Sequence, residues 1–105
     1  MRLFPALFQM DDAHIVIFGD GTNAERKTRL VAKTRARIFL VAHARPDWAD
    51  AFGDQIQLVE PEHAAGALET ARFTIIALED EAEAHRAYDL ARASGVPINA
   101  VDRKA

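Results

Sequence analysis

The sequence predicts a doubly wound α/β fold of about five parallel strands with helices on both faces, and three observations predict it. Short β-branched or apolar runs alternate with helical stretches from residue 14 to residue 101. A G-x-G-x-x-A segment stands between the first such run and the first helix. The fourth run, residues 73–78 (FTIIAL), carries Thr74 as its one polar residue, the pattern of a strand covered on both faces. Parallel neighbours need crossover connections, and the intervening helical stretches supply them.

Taken in order, HIVIF at residues 14–18 is a compact β-branched strand closed by Gly19-Asp20-Gly21. From Ala24 the period becomes helical: Ala24, Thr28, Val31 and the aliphatic stem of Arg35 share one face, with Arg26, Arg29 and Lys33 opposite. Residues 37–42 (RIFLVA) read as the second strand and residues 46–52 as a short helix or turn. In that turn Trp48, the sole tryptophan, is expected to pack beside Pro46. Residues 55–60 form a third strand, and Pro61 suits the first turn of a short helix reaching about Thr70. After the fourth strand a helix runs from about Asp80 to Ser94, with Ala84, Ala87, Tyr88 and Ala91 at i, i+3, i+4 and i+7. Gly95 and Pro97 stop it, and residues 98–101 close the sheet as a fifth strand.

A length of 105 residues is one domain, 1–105, and a half-apolar composition is enough for a core. The net charge of −3 gives no general attraction to nucleic acid or to anionic membranes. No apolar run approaches a membrane span and the first residues lack a signal-peptide pattern, so neither partner is expected and the cytoplasm is the expected location. The absence of cysteine excludes disulfides and thiolate metal sites. His14, His43, His63 and His85 show no spacing such as H-x-x-x-H, so no metal is expected. The basic series Arg26, Lys27, Arg29, Lys33, Arg35 and Arg37 reads as a solvated face, and the acidic run 79–83 as a complement to the start of the last helix.

The segment Gly19-Asp20-Gly21-Thr22-Asn23-Ala24 follows a strand and opens a helix, the context a dinucleotide-binding loop requires. Gly19 permits the tight turn, Gly21 lets a pyrophosphate approach the backbone, and Ala24 allows close helix–strand packing. Free N–H groups at the helix start then face the anion. The fold expected is therefore Rossmann-like. Asp20 puts a carboxylate beside the expected pyrophosphate, where unit charges about 4 Å apart repel by roughly 1–4 kcal/mol. The acid that usually binds the ribose about 20 residues on is missing; the chain reads Val41-Ala42-His43-Ala44-Arg45 there, and Arg45 is a candidate partner for a 2′-phosphate.

These segments resemble the N-terminal domain of the siroheme synthase and precorrin-2 dehydrogenase family along nearly the whole chain. Residues 3–8 (LFPALF) resemble the family's opening "LP-x-F" segment, and residues 19–30 (GDGTNAERKTRL) its "GGG-x-x-A-x-RK-x-x-L" loop and helix. Ala36-Arg37 and the strand after it resemble "GARVTVVAP". Residues 76–80 (IALED) stand where the family has "AATDD", and residues 97–102 (PINAVD) resemble "IPVNVVD". The resemblance implies a domain that binds NAD and oxidises precorrin-2 to sirohydrochlorin; many members also insert ferrous iron to make siroheme.

Roles implied by the resemblance fall on matching positions. Gly19, Gly21, Thr22, Asn23 and Ala24, with His43 and Ala44 after the second strand, are the implied cofactor-binding residues. Asp102 matches the aspartate assigned as catalytic, as general base or metal-orienting group. A tetrapyrrole substrate, a dinucleotide and a second copy of the chain in a homodimer are the implied partners. Two departures stand out: Asp20 replaces the middle glycine of the loop, and Leu78-Glu79 replaces a threonine–acid pair. The family continues into a dimerisation and tetrapyrrole-binding region, whereas this chain ends three residues after Asp102. The expectation is a nucleotide-binding domain, incomplete alone as a dehydrogenase. A module that keeps the fold without the activity is the alternative.

Overall fold

The computed structural model describes residues 14–100. The five strands β1 (His14–Phe18), β2 (Arg37–Val41), β3 (Ile56–Val59), β4 (Phe73–Ile76) and β5 (Ile98–Ala100) form one sheet in the order β3-β2-β1-β4-β5. All four pairings are parallel. β1 is central, with Val16 in register with Phe39 on one side and Thr74 on the other. The doubly wound prediction is thus met, and β1 and β4, adjacent in the sheet but far apart in sequence, mark where the winding reverses.

Alternation along β1 divides its side chains between two apolar layers. Ile15 and Ile17 join Ile38, Leu40, Ile56 and Ile75 beneath helix α1 (Thr22–Ala32) and a 3₁₀ segment (Asp47–Gln55). Val16 and Phe18 join Val41, Ile76 and Leu68 beneath the short helix α2 (Ala64–Leu68) and helix α3 (Glu81–Ser94). Thr74, the polar exception in β4, is fully buried and donates its hydroxyl to the Val16 carbonyl at 2.8 Å. A buried hydroxyl without such an acceptor would be costly, so this bond is what allows threonine in the middle of the sheet.

Several boundaries differ from the pattern-based expectation. Arg35 does not extend the apolar face of α1. The helix ends at Ala32, Thr34 Oγ1 donates to the Val31 carbonyl at 2.7 Å, and Arg35 is exposed with φ 67°. A left-handed residue cannot continue a right-handed helix, so the periodicity stops one turn early. The helix expected from Pro61 is a 3₁₀ turn (Pro61–His63) followed by only five residues of α2. β3 is shorter than the expected 55–60 and β4 shorter than its apolar run: Ala77 still donates its N–H to the Phe18 carbonyl at 2.9 Å, but the chain then leaves the ladder. Trp48 packs on the core edge-on to Phe52, with ring centroids 6.3 Å apart. α3 matches its expected span, with Asp80 as N-cap accepting from Glu83 N–H at 2.9 Å and Gly95 at φ 75° closing it.

Candidate functional site

At the carboxyl edge of the sheet the chain leaves β1 through Gly19, and local geometry explains why glycine stands there. Its φ is 128°, and a Cβ would lie 2.6 Å from the Ala77 carbonyl oxygen, so both backbone conformation and space exclude a side chain. Gly19 N–H donates to the Val41 carbonyl at 3.1 Å. The loop is therefore wedged between the ends of β2 and β4, and the fully buried Ala24 packs beneath it. On the other side, Trp48 Nε1 donates to the Asp20 carbonyl at 2.9 Å, tying the loop to the 3₁₀ segment.

Gly21 meets a different condition. It is the N-cap of α1, with φ −94° and ψ −161°, a conformation open to any residue. A Cβ there would meet only the Glu79 Oε2 atom, at 3.8 Å. The protein itself does not require glycine at this position; a ligand approaching the backbone would. No side chain caps α1, so the N–H groups of its first turn point outward without intrahelical acceptors, and the helix dipole adds about half a positive charge. Loop and helix start together have the shape of an anion cradle.

Beside the loop lies a cleft of about 650 Å³, within the range of small-molecule sites. Phe18, Val41, Ala42, Ala64, Leu78 and Ala87 give it apolar walls. His43, Glu83, Arg86 and Asp89 supply its polar rim. Apolar walls with a few polar groups suit a planar heteroaromatic ring. A smaller crevice of about 190 Å³ runs between the β1 and β4 loops, bordered by Gly19, Asp20, Gly21, Leu78, Glu79 and Asp80 among others.

The expected site residues are only partly convergent. Gly19 and His43 border the cleft, and Gly19 and Gly21 border the crevice. Thr22 is exposed on the first turn of α1, and Asn23 Oδ1 accepts from Arg26 Nη1 at 3.2 Å. Ala24 is core, whereas Ala44 is exposed and borders neither space. Asp102 and residues 3–8 lie outside the described residues. Arg45, the candidate partner for a 2′-phosphate, bonds through Nε to Asp50 Oδ1 at 3.3 Å and through Nη2 to the Ala49 carbonyl at 3.4 Å. The sequence reading missed Glu79, Glu83 and Arg86 as wall residues. They precede or lie on α3, 58 or more residues after Gly21, and only the β1–β4 pairing brings them to the loop.

Among the described residues, Glu60, Glu62 and His63 are the trio of metal-capable side chains with ligand atoms within 4.8 Å of one another. All three are exposed on the single turn after β3. No helix among the described residues is long and apolar enough to cross a membrane.

The strand order, the glycine loop opening α1 and the cleft at the carboxyl edge define a Rossmann-type domain, the class that receives nucleotides at this edge. Within that class, the chain belongs to the family described as "Putative NAD(P)-binding", whose sequence model matches residues 6–105. Over 104 residues it is 28% identical to the siroheme synthase of Psychrobacter arcticus, covering 97% of this chain and 19% of that protein. Over 106 residues it is 34% identical to the siroheme synthase of Escherichia coli, covering 97% of this chain and 23% of that one. The chain thus spans about a fifth of the length of these relatives. Its fold is similar to that of a solved structure titled "SirC, precorrin-2 dehydrogenase", with TM-score 0.62 and 19% identity over 91% of this chain and 48% of the other. It is similar at the same TM-score to the E. coli tRNA N6-threonylcarbamoyladenosine dehydratase, TcdA, with 18% identity over 94% of this chain and 56% of that one. At these identities the structural likenesses establish the fold.

Proposed function

We propose that this chain is the NAD-binding domain of a cytoplasmic, siroheme-forming precorrin-2 dehydrogenase. The observation that carries the reading is Gly21, a glycine whose only evident use is to leave the start of α1 open to a ligand. Family membership and the siroheme synthase relatives support the same assignment. The residues fit the cofactor in shape: the Gly19–Gly21 loop and the first turn of α1 for the pyrophosphate, and the cleft beside Val41, Ala42 and His43 for the adenosine end. When bound there, NAD would supply the hydride acceptor for oxidation of the reduced tetrapyrrole macrocycle. The chain's own contribution is to hold the dinucleotide at the sheet edge, while Asp102 takes or orients the accompanying proton. Walls for a tetrapyrrole come from a further region or a second copy of the chain.

Calorimetric titration of the 105-residue chain with NAD and NADP tests the cofactor. Tighter binding of NAD is expected, and tenfold tighter binding of NADP would overturn the choice. In a longer chain that supplies the tetrapyrrole region, Asp102→Asn is expected to remove most precorrin-2 oxidation while leaving NAD affinity nearly intact, because asparagine cannot accept the proton. Full activity in that variant would remove Asp102 from the chemistry. A second reading, a non-catalytic module that keeps the fold, is favoured by one feature, the exposed Asp20 carboxylate in the loop. Failure of both nucleotides to bind would select it.

A further inference from the structure

We propose that Glu79, acting with Asp20, sets the affinity of this domain for a dinucleotide by holding negative charge on both sides of the place a pyrophosphate must occupy. This inference rests on the reading that the glycine loop receives a dinucleotide. The two acidic residues come from different elements, Asp20 from the β1 loop and Glu79 from the β4 loop, and both residues border the crevice at Gly21. Glu79 Oε2 stands 3.8 Å from the Cβ position of Gly21, on the side the glycine leaves open. A phosphate using that opening is brought within a few ångströms of a formal negative charge.

Other groups near the crevice do not offset these charges. Asp80 also borders it, and its carboxylate is committed to capping α3 through the Glu83 N–H. Glu83 adds a further acid to the wall. No lysine or arginine is among the described residues that border it. Arg86 lies on the rim of the neighbouring cleft, Arg26 bonds Asn23, Arg29 pairs with Glu25, and Arg45 pairs with Asp50. The side-chain carboxylates of Asp20 and Glu79 themselves have no hydrogen-bond or ion-pair partner among the described residues; the bond from Trp48 goes to the Asp20 backbone carbonyl. The counter-charge left for a diphosphate is the start of α1, about half a unit. The cradle therefore has the right shape with opposing charge, and its affinity is governed by the two acids rather than by the apolar cleft.

The test is calorimetric titration of the 105-residue chain and of Glu79→Gln, Asp20→Asn and the double variant, with NAD and with uncharged adenosine, at low and high salt. Thermal unfolding checks that each variant is folded. Each single substitution is expected to tighten NAD about fivefold or more, and the double variant to exceed either. Adenosine affinity should stay level, and the gain should shrink at high salt, where exposed charges are screened. Binding of NAD by the double variant alone would also support the proposal. Unchanged NAD affinity in Glu79→Gln would overturn it and leave the cofactor reading standing. Weaker NAD binding in that variant would overturn it too, making the carboxylate an acceptor for a ribose hydroxyl. Absence of NAD binding in every form would overturn both.

Discussion

Gly19 and Gly21 stand two residues apart and answer to different demands. Gly19 is held by the protein, through a positive φ and the 2.6 Å approach of the Ala77 carbonyl, while Gly21 has an ordinary conformation and open space. Gly19→Ala is therefore expected to destabilise the fold by about 3 kcal/mol, combining backbone strain with overpacking. Gly21→Ala is expected to cost no more than about 1 kcal/mol, the ordinary penalty of alanine at an N-cap, yet to weaken dinucleotide binding at least tenfold. Denaturant unfolding and NAD titration of the two variants check this, and equal loss of stability would refute the division of roles. The sequence pattern assigned the turn to Gly19 and the ligand approach to Gly21, but not the Ala77 carbonyl that excludes a side chain at Gly19, which strand pairing alone brings up. It was equally silent on Arg35, whose left-handed conformation no residue type announces.

Among the elements, those buried on both faces were the most legible. β1 and β4 read as strands because their apolar runs lack alternation, and α3 because its alanines keep helical spacing between Asp80 and Gly95. Asp80→Ala should lower stability by about 1 kcal/mol, since the cap bond to the Glu83 N–H is lost. Thermal unfolding measures it; an unchanged midpoint would mean solvent replaces the cap at no cost. Residues 47–55 were harder to read. They keep an apolar face through Ala49 and Phe52, but the turns are 3₁₀ and Gly53, at φ 57°, breaks them. Acidic residues 79–83 were read as charge complementing a helix start. That is accurate for Asp80, Glu81 and Glu83, whereas Glu79 stands just before the helix and faces the loop instead.

For the whole molecule, stability rests on two apolar layers either side of one short sheet, and one of the two helices over the second layer is very short. α2 has only five residues, too few to be stable alone, so its two buried residues, Ala64 and Leu68, must hold it. Leu68 is fully buried, and Leu68→Ala is expected to cost about 3 kcal/mol. A loss under about 1 kcal/mol in denaturant unfolding would show that α2 is dispensable. The parallel, doubly wound class followed from the alternation of strands and helices, but the strand order did not. The site was legible on its β1 side and, through His43, at the end of β2. Its other wall comes from the β4 loop and α3, and residue spacing carries no record of which strands become neighbours.

The bond from Trp48 to the Asp20 carbonyl gives the domain a built-in optical probe. Trp48 is the only tryptophan, and its indole N–H is hydrogen-bonded to the backbone of the glycine loop. Indole emission is sensitive to the polarity and hydrogen bonding of its surroundings, so a dinucleotide settling on the loop should alter the fluorescence of the whole protein through this one ring. Reduced nicotinamide absorbs where tryptophan emits, and NADH is therefore expected to quench Trp48 by energy transfer in addition to any local change. The midpoint of a fluorescence titration should match the calorimetric dissociation constant. A calorimetric signal unaccompanied by any change in emission would place the bound nucleotide away from this loop.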